Sequence, residues 1–369
     1  MSQVKQGKEP LLRIAKRDGI SRPMAYGIRV IAVLLSLVVS GIFIFAVTKL
    51  NPIQVYEGIY DGAFGTARRS WVTIRDTMML LCIGVGLAPA FKMKFWNIGA
   101  EGQVLMGGVL TAGIMRAYGS SLPTPVLLVL MAVMSIVAGC VWGIIPAVFK
   151  AYWNTNETLF TLMMNYVAIQ ITSYCVALWE NPIGSNTVGV INQSTKAGWF
   201  PELFGQAYGL NVLLVLLLTV GMFLYLKYSK QGYEITVVGD SVNTARYAGI
   251  SVKKVTIRTM AISGAICGLA GFIAVSGASH TISTSTAGGR GFTAVMVAWM
   301  AKFNPIVMIL TSLLLVFLSR GAGEISTKFG LNHAFGDILT GIILFFILGS
   351  EFFINYRVIL RGKKEGEAK

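Results

Sequence analysis

Leu127 to Phe149 reads LLVLMAVMSIVAGCVWGIIPAVF, 23 residues without a charged side chain. As an α-helix such a run rises about 1.5 Å per residue, and about 20 residues cross the roughly 30 Å hydrocarbon layer of a bilayer. The run is therefore a membrane span. Val30 to Thr48 and Leu159 to Trp179 are uncharged in the same way. Hydrophobic residues make up 54% of the chain and charged residues 13%, with a mean hydropathy of +0.67. Soluble domains carry roughly 45–50% apolar and about 25% charged residues. A single soluble core could not absorb this much apolar surface, so the fold class is all-α and polytopic.

Working outward, hydrophobic segments fall near 28–48, 74–91, 97–117, 124–147, 158–179, 210–227, 256–277, 291–301, 304–319 and 335–354, about ten spans. An even number places both termini on one side. Of the 31 Lys and Arg residues, 22 then lie on that side, and the positive-inside rule makes it the cytoplasm. The expected organisation is a basic cytoplasmic segment 1–27, a transmembrane domain 28–355 with an inner loop at about 228–255, and a cytoplasmic tail 356–369. The basic stretch Lys5, Lys8, Arg13, Lys16, Arg17, Arg22 and Arg29 is a topology signal and is also suited to touch anionic membrane lipid. The net charge of +15 is thereby accounted for, and no nucleic-acid partner is expected. The first apolar run follows a basic lead of almost thirty residues and has no A-x-A site before Asn51, so it reads as a retained span and not a cleaved signal.

Little in the chain suits covalent chemistry. Cys82, Cys140, Cys175 and Cys267 lie inside apolar segments without C-x-x-C spacing, which points to packing and not to disulfides or zinc. His280 and His333 fall in different outer loops with no acid close in sequence, so neither a catalytic triad nor a metal centre is expected. The chain has no G-x-x-x-x-G-K-[ST] phosphate loop. It reads as a transport subunit and not an enzyme, with no cofactor of its own; ATP and Mg would be held by a partner.

Two regions are more broken than simple spans. Leu87 to Gln103 is punctuated by Pro89, Gly99 and Gly102, and Ser276 to Pro305 by Gly288, Gly289, Gly291 and Asn304-Pro305. Interrupted segments in both halves are what an inverted repeat produces. Spans 2–5 begin outside and spans 7–10 begin inside, the opposite orientations that such a repeat requires. Gly264, Gly268 and Gly271 lie at helical spacing in span seven, where small residues let helices approach closely in lipid.

Phe95 to Gln103, FWNIGAEGQ, sets an acid and two amides at the start of span three. Read locally, Asn97 caps the helix and Glu101 sits in its first turn near the positive dipole end. Read as an ionisable group within a span, Glu101 faces a wet cavity and lines a pathway. The run Asn97 to Gln103 resembles the hallmark of permease subunits of bacterial ABC importers for nucleosides, within the broader ribose and branched-chain amino acid permease group. Asn156 to Ala168, NETLFTLMMNYVA, is similar to that family's N-E-V-I-x-T-x-M-L-N-Y-I-A and favours the nucleoside branch over the ribose branch. Gly291 to Pro305, GFTAVMVAWMAKFNP, resembles G-F-x-x-I-A-V-A-L-L-G-x-x-x-P, with Trp299 and Ala301 where the pattern has Leu and Gly.

In the inner loop, Asp240 or Ser241 can cap a short polar helix and Gly249 can end it in the left-handed conformation. The stretch from Gly239 to Ile250 resembles the family's coupling loop, G-x-N-x-x-A-A-R-Y-A-G-I, with Thr244 replacing the first Ala. The resemblance implies that Gly239, Asp240, Ser241, Asn243, Ala245, Arg246, Tyr247 and Gly249 contact an ABC ATPase. A plain connecting loop is the other reading. The resemblance further implies a second related permease, an external substrate-binding lipoprotein, alternating access, and a place in the bacterial cytoplasmic membrane.

A neutral, polar nucleoside needs hydrogen bonds along its way. Asn97, Glu101, Gln103, Asn156, Asn165, Ser283 and Ser285, with Thr281, Thr284 and Thr286, are the candidate groups, against helix capping or a solvated loop. A permease for a simple sugar such as ribose, and a proton- or sodium-coupled carrier using Asp76 and Glu101, remain the rival readings.

Overall fold

The structure is a computed structural model that describes residues 12–17, 20–203 and 205–360. Lys5, Lys8 and the tail from residue 361 onward lie outside the described residues. In chain order the elements are β1 (Leu12–Lys16), α1 (Arg22–Thr48), α2 (Pro52–Phe64), α3 (Ala67–Lys92), α4 (Ala100–Tyr118), α5 (Thr124–Trp153), α6 (Glu157–Trp179) and α7 (Gly209–Tyr228). They continue with α8 (Lys230–Asp240), α9 (Val242–Tyr247), α10 (Val252–Ala274) running into a π-helical turn (Val275–Ser279), α11 (Arg290–Met300), α12 (Pro305–Phe329), α13 (His333–Asn355) and β2 (Tyr356–Leu360).

Each apolar segment falls largely in a helix, and among the described residues eight helices are long and apolar enough to cross a membrane. Two segments expected as spans are not among the eight: 97–117, whose 19-residue helix α4 is long enough but carries Glu101, Gln103 and Arg116, and 291–301. The helix α11 of the second has 11 residues, about 16 Å, half of what the hydrocarbon layer asks. Gly288 and Gly289 before it adopt positive φ, as do Lys302 and Phe303 after it, and Pro305 opens α12. Two stretches read as connections are helical. Lys49 to Trp71 holds α2, because Asn51 accepts from the Ile53 amide as an N-cap and Pro52 takes the first helical position, where its missing N–H costs nothing. The stretch 228–255 holds α8 as well as α9, the short helix that its caps led us to expect. The all-α chain also carries one antiparallel ribbon at its ends, pairing Leu12 with Leu360 through Lys16 with Tyr356.

The chain divides into two units, residues 1–65 with 317–369, and residues 66–316. In the first, Ile44, Val55, Ile59, Ile325, Phe335 and Leu339 form the core. Phe43 stacks on Phe335 with ring centroids 5.5 Å apart, and Arg29 pairs with Glu351 at 2.6 Å. The outer side of α1 leaves Val30, Leu34, Val38, Ile42 and Phe45 exposed, as a helix facing hydrocarbon would.

In the second unit α3 and α10 form the interior. Their most apolar windows are 89% and 78% buried, against 28% for α5, α6 and α7, which therefore form the lipid-facing rim. Van der Waals contact sets this packing, since lipid tails leave little hydrophobic gain between helices. A Cβ on Gly264 would strike the carbonyl oxygen of Gly139 in α5, and one on Gly268 that of Ser135. The α5 and α10 backbones thus touch directly. We expect Gly268→Val to force these backbones apart and cost more than about 1–3 kcal/mol. The measurement is the melting temperature of the detergent-purified protein, and a midpoint unchanged from wild type would contradict this packing.

Candidate functional site

Between α3 and α4 the chain leaves helical geometry for residues 93–99. Lys94 takes φ of 60°, and the Phe95 amide closes on the Ala90 carbonyl at 2.9 Å. Asn97, fully buried, then donates through Nδ2 to Ser263 Oγ at 3.1 Å, and its Oδ1 accepts from the Gly99 amide at 3.0 Å. Asn97 and Gln103 face each other amide to amide at 3.4 Å. Ser263 lies near the middle of α10, so α4 starts at mid-helix depth.

The α6 helix secures this start. Asn165 accepts from the Gly102 amide at 2.8 Å and donates to the Ile98 carbonyl at 2.9 Å, and Thr161 Oγ1 accepts from the Ile98 amide at 3.2 Å. A break buried among helices must have its free peptide groups satisfied, and these side chains do so.

Glu101 joins this break to the second one. Its Oε1 accepts from the Gly289 amide and its Oε2 from the Gly291 amide, both at 2.8 Å. The carboxylate therefore sits in the first turn of α4 and caps the N-terminus of α11. Both helix starts carry partial positive charge toward it. A Cβ on Gly291 would strike the Glu101 amide nitrogen, so only glycine allows this approach. Residues 280–289 bring the chain to this point from the π-helical end of α10, which the buried Asn211 holds by donating to the Gly277 carbonyl at 3.0 Å.

A charge cluster involves Arg290, between the two glycines that Glu101 binds. The Arg75 guanidinium donates to Asp76 Oδ1 at 3.0 and 3.1 Å and to the Tyr208 hydroxyl at 3.3 Å, while Arg290 reaches the same Asp76 oxygen at 3.5 Å. In an aromatic group Trp96, next to Asn97, stacks on Trp299 of α11 with centroids 5.3 Å apart and planes 23° apart. Phe91 and Phe303 pack on it at 6.0 and 5.1 Å.

The remaining sequence candidates lie elsewhere. Asn156 is exposed and caps α6 through the Leu159 amide at 3.2 Å. Ser283 Oγ meets Ser285 Oγ at 3.0 Å, and the Ser283 amide donates to Thr286 at 2.8 Å, so these hydroxyls fold their own loop. In the inner loop Ser241, not Asp240, is the cap of α9, accepting from the Thr244 amide at 3.2 Å. Gly249 closes it with φ of 75°, and the Ile250 amide returns to the Ala245 carbonyl at 2.9 Å. Ala245 is buried, whereas Asn243 and Arg246 are exposed and Tyr247 is 94% exposed. Gly239 packs on the carbonyl of Lys92 at the end of α3. A cleft of about 780 Å³ beside α9 is lined by Lys94, Lys150, Glu157, Asp240, Arg246 and Lys253.

Residues 72–348 match the family described as the permease component of the branched-chain amino acid transport system. The chain belongs to this family. It is a multi-pass permease subunit of an ABC importer in the cytoplasmic membrane, works with an ATPase and a substrate-binding protein, and is not an enzyme. Three relatives match the permease over most of their length. The glucose ABC transporter permease protein TsgB13 of Haloferax volcanii is 29% identical over 96% of this chain and 95% of that protein. The guanosine ABC transporter permease protein NupP of Bacillus subtilis is 30% identical over 87% and 92%. The nucleoside ABC transporter permease protein NupB of Lactococcus lactis is 27% identical over 86% and 91%. No solved structure matches the permease.

The structure thus brings Asn97, Glu101, Gln103 and Asn165 together at one buried break, and sets Asn156, Ser283 and Ser285 apart from it. Sequence reading missed Ser263, Thr161, Arg75 and Arg290, whose partners are distant in the chain. The cationic Arg75 beside Asp76 inside a span was the available signal for the charge cluster. We expect Glu101→Ala to leave two buried amides without an acceptor, at about 1–3 kcal/mol each, and to lower both melting temperature and substrate uptake by the permease. Glu101→Gln turns an NH2 toward an amide donor and should also lose uptake; wild-type uptake with an unchanged melting temperature in both variants would remove Glu101 from any essential role.

Just after the π-helical turn the His280 ring stacks on Trp199 with centroids 3.7 Å apart and planes 8° apart. Burial lowers the His280 pKa below its ordinary value of 6.5. The folded loop then binds fewer protons than the unfolded one, so its stability is full above pH 6.5 and is lost as the pH falls below that value. Tryptophan fluorescence should show a transition on acidification that is absent in His280→Phe; the same transition in that variant would refute the assignment.

Proposed function

We propose that this permease imports nucleosides, with purine and pyrimidine nucleosides both within its class, from an external binding lipoprotein into the cytoplasm by alternating access. The single observation that carries the mechanical part is the continuity from the exposed α9 to the buried break. Gly239 at the end of α8 packs on the Lys92 carbonyl, and the chain from Lys92 leads directly into Asn97 and Glu101. Displacement of the inner loop by an ATPase would pass through this contact to both half-helix starts. Gly239, Asp240, Ser241, Asn243, Ala245, Arg246, Tyr247 and Gly249 are the coupling residues in this reading, with Tyr247 the side chain offered outward. Asn97, Glu101, Gln103 and Asn165 shape the pathway by holding the break, and Asn156, Ser283 and Ser285, away from the break, would meet the substrate only elsewhere along its way.

The nucleoside class rests on the block Asn156 to Ala168 and on the relatives named for guanosine and for nucleosides. The relative named for glucose supports a second reading, import of a simple sugar. A proton- or sodium-coupled carrier is less well supported, because Asp76 is engaged by Arg75 and Arg290 and Glu101 by two backbone amides. The arrangement of two breaks, one after α3 and one after α10, meeting at Glu101 supports an inverted repeat of spans 2–5 and 7–10. A second related permease would complete the pathway, ATP and Mg would bind the partner ATPase, and both termini would lie in the cytoplasm.

Uptake of labelled guanosine is the test, in cells with the cognate ATPase deleted or with Tyr247→Ala and Arg246→Ala in this chain. Either change should reduce uptake at least tenfold while the permease remains in the membrane. Unaltered uptake in both would sink the ATP-driven reading, collapse only with a proton ionophore would favour a carrier, and uptake of glucose in place of guanosine would favour the sugar reading.

A further inference from the structure

The helix α6 has the burial of the rim but not its chemistry. Along their middle turns α5 exposes Val133, Val137 and Val141, and α7 exposes Leu213, Leu217 and Leu224. Both helices turn their hydroxyls inward: Ser135 and Thr219 are fully buried and donate to the carbonyls of Ala132 and Val215 at 2.8 and 2.7 Å. On α6, by contrast, Tyr166, Gln170 and Ser173 are exposed, Tyr166 to 58%. At helical spacing these three form one stripe about 10 Å long. The helix runs about 34 Å, and Tyr166 and Gln170 stand about 14 and 20 Å from its first residue, on either side of its middle. A carboxamide set in hydrocarbon would forfeit the hydrogen bonds that water gives it. We infer that Tyr166, Gln170 and Ser173 line the aqueous pathway of the permease and hydrogen-bond an uncharged, polar substrate as it crosses the bilayer. The inference rests on the import reading above and adds side chains that meet the substrate, on another face of α6 from the Thr161 and Asn165 that hold the break.

Three observations favour water and substrate over lipid or a companion helix. Tight helix contacts in this permease are made by glycines, as where Gly264 and Gly268 of α10 meet the α5 backbone, and small residues are what such contacts in lipid require. The helix α6 has no glycine, and the bulk of Tyr166 and Gln170 would hold a second helix off. The stripe has no Asp, Glu, Lys or Arg, so it suits an uncharged solute and would give a charged one no partner. A carboxamide offers two donors and an acceptor, and the hydroxyls of Tyr166 and Ser173 can do both, which matches the mixed hydroxyls and ring nitrogens of such a solute. Towards the start of α6 the stripe turns apolar: Leu159 and Met163 continue it and, with Phe160, Met164, Val167 and Asn156 at the helix start, border a groove of about 440 Å³. A face that is polar over one half and apolar over the other is what a wetted passage with a dry constriction at one end presents. Hydrocarbon along the whole helix would ask for no such change.

The stripe is also tied to the parts that would move. Asn165 accepts from the Gly102 amide and donates to the Ile98 carbonyl, and Tyr166 is its neighbour in the chain. A displacement of the break therefore carries α6 with it and shifts the groups that hold the substrate.

The test uses the complete transporter, this chain with its ATPase, its companion permease and its binding protein, in membrane vesicles. Gln170→Cys and Ser173→Cys should react with a water-soluble, positively charged methanethiosulfonate, read by peptide mass against the wild-type chain, whereas Val137→Cys on α5 and Leu217→Cys on α7 should not. Guanosine should slow the reaction at both α6 positions. Gln170→Leu, which keeps the bulk and loses the hydrogen bonds, should lower guanosine uptake about fivefold while the complex still co-purifies. Reaction at positions 170 and 173 no faster than at 137 and 217 would overturn the inference, and so would a cross-link from Gln170→Cys to the companion permease, which would assign the stripe to a subunit contact. Uptake unchanged in Gln170→Leu would remove the substrate contact. If the wild type imports glucose and not guanosine, the nucleoside reading fails and glucose should slow the reaction instead; if it imports guanosine and the reaction is not slowed, only the present inference fails.

Discussion

One carboxylate joins two helix starts within the unit of residues 66–316. Glu101 lies in the first turn of α4, and its two oxygens take the amides of Gly289 and Gly291 at the start of α11. Helix starts carry partial positive charge and unsatisfied N–H groups, so two of them pointing at one place would repel and remain unpaired without an anion between them. In a membrane interior, where water cannot complete the hydrogen bonding, the requirement is stricter. The glycines at 289 and 291 follow from it, the first because its φ is positive and the second because a side chain would occupy the space of Glu101.

The surrounding helices are arranged to keep that junction fixed. The amides of Asn97, Gln103 and Asn165 are spent on backbone and on one another, so the break at residues 93–99 is rigid in spite of having no regular structure. The direct contact of α10 with α5 and α4 gives it a firm wall. An irregular stretch built in this way can be moved as a body by a push at Lys92, which a floppy loop could not.

Much of this was legible in the sequence, and for identifiable reasons. Run length alone revealed Leu127 to Phe149 as a span, because a helix satisfies its own backbone and only side-chain polarity decides where it resides. A cap at Asp240 or Ser241 and the left-handed Gly249 could be read because both act within a few residues, and the structure chooses Ser241. The function of Glu101 could be narrowed to two roles but not chosen, since its partners lie 188 and 190 residues away and nothing local announces them. The Trp96–Trp299 stack was hidden for the same reason. Reading residues 291–301 as a span failed on length, because apolar content was counted where the flanking glycines should have shortened the helix. The ribbon of β1 and β2 was invisible, as five-residue strands with a partner at the opposite end of the chain leave no periodicity to detect.

That ribbon and the helices beside it set an order for synthesis. The pairing of Arg29 with Glu351 joins residues 322 positions apart, and Phe43 finds its stacking partner in Phe335. At roughly 5–20 residues per second, a ribosome delivers α13 on the order of tens of seconds after α1. During that interval α1 has only α2 to pack on within this core. Ile44 of α1 meets Val55 and Ile59 of α2 almost at once, whereas Ile325, Phe335 and Leu339, which close the same core, arrive only with α12 and α13.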